Sequence, residues 1–207
     1  MPDTSADRLP FRRVCVFCGS SAGSRPSYTA AAIEVGTHLA AQGIGLVYGG
    51  GSAGLMGTLA AAALDAGGEV IGVLPTGLFP DGVTASPKRA HHRGTLVVEE
   101  VDDMHARKAR FHQLADAFVV LPGGLGTLEE AAEAATWAQI GLHEDPVGFL
   151  DVDGFFDSLL SWLDRGVDDG FLRASARAQL LVDRDIGALL TRMAALVPRH
   201  EDKWIDR

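Results

Sequence analysis

Six short β-branched runs, most of them ending in glycine or proline, alternate along the chain with alanine-rich stretches of helical length. The runs at residues 14–18, 45–48, 69–74, 96–98, 117–121 and 147–150 read as strands. The intervening stretches at 27–42, 55–66, 102–114, 128–139 and 155–168, with a last one at 186–197, read as helices. Several of the strands are apolar at nearly every position, which is the pattern of a parallel sheet covered by helices on both faces. The fold class is therefore α/β, a Rossmann-like, doubly wound and mainly parallel sheet. No internal repeat and no long linker divides the chain, so one domain spans residues 12–197. It lies between a flexible N-terminal tail, 1–11, and a polar C-terminal tail, 198–207.

With 207 residues, 47% of them hydrophobic, the chain is long enough for one substantial core. A formal net charge of -9 argues against the broad basic surface that nucleic acid or an anionic membrane selects. The N-terminal residues lack the apolar centre of a signal peptide, and no apolar run has the length of a membrane span, so a cytoplasmic location is expected. Cys15 and Cys18 have C-x-x-C spacing, but three residues along a strand place them on opposite faces, which disfavours a disulfide or a shared metal.

In open α/β sheets ligands bind beyond the carboxyl ends of the strands, where helix N-termini present unpaired N–H groups. Three strand ends carry suitable turns, namely CGSSAGS with Ser20, YGGGSAGLMG with Gly49, Gly50 and Gly51, and PGGLGT with Gly123, Gly124 and Gly126. Gly49, Gly51 and Gly54 satisfy G-x-G-x-x-G. The acidic residue that would bind the ribose of NAD is missing from the tip of the next strand, which leaves mononucleotide or phosphate binding.

Thr127 followed three residues later by Glu130 fits a capping box, which would place Thr127 at the helix start and keep Glu130 ionised beside the helix dipole. On the helix at 102–114, Arg107 falls inside an apolar stripe of Met104, Phe111, Leu114 and Ala115. Such an arginine either snorkels to water or meets an anion, because an unpaired buried charge is too costly. Lys108 stands at the edge of the same stripe. Anion-binding loops, a semi-buried arginine and a carboxylate suit cleavage at a sugar carbon, where positive charge develops in the transition state. His91 and His92 in the irregular stretch, and His105 and His112 on a helix, have no metal-ligand spacing.

MHARK at 104–108, PGGLGTLEE at 122–130 and TWAQIGLHEDPVGFLDVDGFFDSLL at 136–160 closely resemble the Lonely Guy family of cytokinin riboside 5'-monophosphate phosphoribohydrolases, proteins often labelled lysine decarboxylases. The resemblance implies a Rossmann-like homodimer that hydrolyses the N-glycosidic bond of N6-modified adenosine monophosphates, with no metal and no organic cofactor. It implies Arg107 and Glu130 as the catalytic pair. Substrate contacts fall on Met104, Lys108, the loop Gly123, Gly124, Leu125, Gly126, Thr127, Leu128 and Glu129, and Thr136, with Ser20 and Gly49 to Gly51 as further contacts. The chain departs from the family at Arg89, where many members have a glutamate. Phe111 replaces a common methionine, and Leu125 a frequent tyrosine. Neighbouring readings are a general AMP or GMP nucleosidase and a non-catalytic carrier of nucleotide or molybdenum cofactor.

Overall fold

A computed structural model describes residues 9–77 and 92–197. Arg89, Lys88, His91 and the C-terminal tail lie outside the described residues. Seven strands, β1 (Arg13–Phe17), β2 (Gly45–Tyr48), β3 (Glu69–Pro75), β4 (Thr95–Val101), β5 (Ala117–Val120), β6 (Val147–Leu150) and β7 (Leu180–Asp183), form one sheet in the order β4-β3-β2-β1-β5-β6-β7. Every pairing in it is parallel. The helices are α1 (Pro26–Ala41), α2 (Gly54–Asp65), α3 (Met104–Leu114), α4 (Leu125–Gln139), α5 (Asp157–Asp168), α6 (Ala174–Ala178) and α7 (Ile186–Ala194).

Period-two alternation in the buried strands divides the core between two layers. Val14, Val16 and Cys18 join the side packed by α1, α2 and α7. Cys15 and Phe17 join the side packed by α3, α4 and α5. The two cysteines are both buried, unbridged and on opposite faces, as the strand geometry required. The α1–α2 contact is tightest at Gly36, where an added Cβ would come within 2.4 Å of the Leu59 carbonyl oxygen.

Two short elements, β7 and α6, were not read from the sequence, and the strand at 96–98 extends to Thr95–Val101. The boundary of the N-terminal tail also needs correction. Phe11 belongs to the core and Leu9 packs against it, because apolar side chains at these positions reach the α1 and α7 layer. Among the described residues no helix is long and apolar enough to cross a membrane.

Strand order fixes where a ligand site belongs. From β1 the chain winds outward to β4, then returns to β5 on the other side of β1 and winds outward to β7. The loops leaving β1 and β5 therefore diverge at a topological switch point, the crevice that open α/β sheets use for ligands.

Candidate active site

Three strand-end loops meet at Gly19. Its N–H donates to the Pro122 carbonyl at 3.0 Å, and its own carbonyl accepts from Leu55 N–H at 3.1 Å and Met56 N–H at 3.4 Å. Close approach demands glycine on each loop. A Cβ on Gly54, where φ is +61°, would lie 2.3 Å from the Ser20 carbonyl, and one on Gly123 would lie 2.1 Å from Thr127 Oγ1. These contacts distinguish the two glycine-rich helix starts. At α2, N–H groups that an anion would need are already committed to Gly19. At α4 no side chain caps the helix, whose N-cap is Gly124. The first N–H groups of any α-helix lack intrahelical acceptors, so Leu125, Gly126 and Thr127 present theirs at the switch point.

The helix start at Gly124 corrects the expected capping box. Thr127 is the third residue inside α4, buried over Gly123, and Glu130 stands in the second turn. A glycine at the N-cap lets the helix begin three residues earlier than the threonine suggested. The expectation that the dipole keeps Glu130 ionised fails for the same reason, since that influence fades beyond the first turn. Burial instead pushes the Glu130 carboxyl up from 4.5 to about 7, with Arg107 and Lys108 opposing the rise and Glu129 and Glu133 adding to it.

Arg107 is buried, and the structure supplies the anionic partner its position called for. Its Nε donates to the Val73 carbonyl at 3.1 Å, Nη2 to the Gly49 carbonyl at 3.0 Å and Nη1 to Glu130 Oε1 at 3.1 Å. Its guanidinium carbon lies 5.0 Å from the centroid of the Phe111 ring, a cation–π contact that gives the phenylalanine a direct part in holding the arginine. Gly49 is required here because a Cβ would sit 2.1 Å from Nη2. Gly50, at φ +74°, packs beneath Leu74. Gly49 and Gly50 are thus buried supports of the arginine and its loop, while Gly51 and Ser20 retain access to solvent.

Lys108 bridges to two carboxylates of α4, Glu129 and, at 2.6 Å, Glu133. Both partners hold its ammonium protonated and raise its pKa. Met104 is half-buried with its sulfur 3.9 Å from Arg107 Nη1. Leu125 is 85% exposed, and Leu128 and Glu129 are exposed as well. Thr136 is the one expected contact not brought to the loops, because nine residues of helix beyond Thr127 carry it about 13 Å along α4. Glu133 was missed in the sequence. Its signal was the i, i+4 spacing from Glu129, which puts both carboxylates on the side of α4 that meets Lys108.

Among the described residues no group of three or more His, Cys, Asp or Glu side chains could hold a metal ion. What converges is an ion-paired arginine and glutamate, low in the crevice, beside an uncapped helix N-terminus. That combination binds an anion and sets a carboxylate of adjustable charge near it.

Residues 56–193 match the model of a family described as "possible lysine decarboxylase". The cytokinin riboside 5'-monophosphate phosphoribohydrolase LOG1 of Arabidopsis thaliana is 48% identical over 92% of this chain and 86% of its own length. The cytokinin riboside 5'-monophosphate phosphoribohydrolase LOG of Oryza sativa subsp. japonica is 47% identical over 94% of this chain and 77% of its own length. Among solved structures, the molybdenum cofactor carrier protein of Chlamydomonas reinhardtii superposes with a TM-score of 0.60 at 23% identity, covering 88% of this chain and 97% of that one, a likeness of fold. Identity near one half across nine-tenths of the chain, together with the P-G-G-x-G-T-x-x-E loop seated at the switch point, places this chain in the Lonely Guy family of phosphoribohydrolases.

Proposed function

We propose that the protein hydrolyses the N-glycosidic bond of cytokinin riboside 5'-monophosphates, releasing the free base and ribose 5-phosphate. The observation that carries this reading is the Arg107–Glu130 pair beside the open N-terminus of α4. In this reading the N–H groups at Leu125 to Thr127 receive the 5'-phosphate, aided by Ser20 and Lys108. Glu130 faces the ribose. The bonding pair of C1'–N9 leaves with the base, which takes up a proton, as a water oxygen bonds to C1' and gives one up. Ionised Glu130 stabilises the positive charge developing at C1' and receives the water's proton. Arg107, fixed by two strand-end carbonyls, holds the carboxylate in place.

Among the described residues the side chains do not fit the decarboxylase description. Imine formation with a pyridoxal cofactor needs a neutral lysine amine. Lys108, the one lysine among the described residues, is held as an ammonium by Glu129 and Glu133.

Base release from isopentenyladenosine monophosphate, AMP, GMP and isopentenyladenosine, followed chromatographically, tests the reading. Release from the modified monophosphate and none from the riboside is expected, and no release from any of the four would overturn it. Because the carboxylate is the working form, kcat/KM should rise with pH through an inflection near 7, where Glu130 ionises. A profile that is flat or falls between pH 5 and 8 would remove Glu130 from this role.

A homodimer is the second part of the proposal. Leu125, Leu128, Ala132 and Thr136 lie exposed on one face of α4 at helical spacing. A second copy seated there would cover the leucines and bring its Thr136 toward a site that Thr136 of the same chain does not reach. Ala132→Arg is expected to convert the dimer to a monomer in light scattering and to lower turnover with it. An unchanged mass would place the interface elsewhere.

A further inference from the structure

α3 and α4 lie on the same sheet face, and their side chains set the height of one helix against the other. Two adjacent residues of α3 reach across. Arg107 meets Glu130, and Lys108 meets Glu129 and Glu133, one turn apart on α4. A slide of a single residue is about 1.5 Å, enough to break a hydrogen bond of 3.1 Å. The two partners of Lys108 are unequal. Glu129 is 52% exposed at its side chain and Glu133 only 21%.

Glu133 is also backed from its other side. His112 Nε2 lies 4.0 Å from Glu133 Oε1. The imidazole stacks on Trp137 with ring centroids 4.4 Å apart and packs against Phe118 at 4.7 Å and His143 at 5.0 Å. Burial pushes His112 down to about 4, so at neutral pH it is an uncharged wall and leaves the ionic contact of Glu133 to Lys108.

We propose that Glu133 is a positioning residue, which holds Lys108 and so fixes α3 against α4 at the height where Arg107 meets Glu130. Glu129 is then the replaceable partner, whose place on the ammonium an anionic group of the nucleotide takes. The inference rests on the reading of Glu130 given above. Glu133 also acts through charge. Facing Glu130 are Arg107 and Lys108 from α3, Glu129 and Glu133 from α4, and the neutral thiols of Cys15 and Cys18 beneath. Around Glu130 the two cations are balanced by the two other carboxylates, so burial is the main cause of its raised pKa, and removing Glu133 leaves one cation in excess, which favours the ionised form.

The test uses Glu133→Ala and Glu133→Gln in the full chain, with kcat and KM across pH and the Glu130 carboxyl carbon titrated by 13C NMR. Glu133→Ala is expected to lower kcat about ten- to hundredfold, the cost of a misplacement near 1 Å, with little change in KM. Glutamine keeps an acceptor for Lys108 and should recover most of that kcat, while the Glu130 titration moves to lower pH. An unmoved titration in Glu133→Gln, or a kcat in Glu133→Ala within about twofold of the parent, would overturn the proposal. If Glu133→Ala fails to fold, the Glu133→Gln titration decides alone. Absence of base release in the parent would instead sink the phosphoribohydrolase reading, and the titration would still report on Glu133.

Discussion

Glu130→Gln is expected to lower kcat by about a thousandfold, the scale of losing a pre-organised charge in a dry site, while leaving the fold in place. Glutamine matches the carboxylate in shape and can still accept from Arg107 Nη1, so the loss reads as charge and not as packing. Stability supplies an independent check with a defined sign. Burial raises the folded-state pKa of Glu130 from 4.5 to about 7, so between those values the folded chain holds a proton that the unfolded chain has lost. Stability contributed by this group is fully present below 4.5 and is lost as pH rises through about 7, a difference on the order of 3 kcal/mol. The glutamine variant has no such dependence. Its melting temperature should therefore gain on the parent between pH 4.5 and 7 and hold the gain above. Parallel melting curves at pH 5 and pH 8 would show that Glu130 ionises like an ordinary carboxyl, and turnover within tenfold of the parent would show that its charge is not used.

Arg107→Lys is expected to be nearly as damaging although charge is conserved. The guanidinium meets three acceptors that belong to three different elements: the Val73 carbonyl of β3, the Gly49 carbonyl after β2 and Glu130 of α4. A planar fork reaches all three at once, whereas an ammonium is a single point that must choose among them. A buried carbonyl left without its donor costs about 1–3 kcal/mol. The melting temperature should fall and kcat should drop about a hundredfold, while the inflection of the pH profile stays near that of the parent because a positive charge remains beside Glu130. Lysine supporting turnover within about twofold would mean that Arg107 acts through charge alone, and that the fork geometry is incidental.

Legibility in the sequence followed the range of the interaction involved. The strands at 45–48 and 147–150 match the structure at both ends, because an all-apolar run bounded by turn residues is a local signal. The arginine in the apolar stripe of α3 was visible because helical periodicity is local too. The start of α4 was misplaced by three residues, since glycines at 123, 124 and 126 read as continuing loop while Gly124 in fact serves as the N-cap. β7 was missed because four residues after a one-turn helix carry little periodicity of their own. Glu133 was missed for a different reason, because its i, i+4 spacing from Glu129 marks a shared face of the helix but not what that face meets. Its partner Lys108 stands on another helix with a whole strand between them in sequence, and no spacing rule records that two helices will lie side by side.

The two glycine-rich helix starts also bear on how this scaffold can be redesigned. Restoring an acidic residue at the tip of β3 would complete the dinucleotide pattern begun by Gly49, Gly51 and Gly54. The amides of Leu55 and Met56 are nevertheless occupied by the Gly19 carbonyl, and the Gly49 carbonyl is tied to Arg107. That loop works as a tie-beam joining three strand ends. An engineer seeking a new cofactor specificity would have to release the beam first, and the arginine it anchors would go with it.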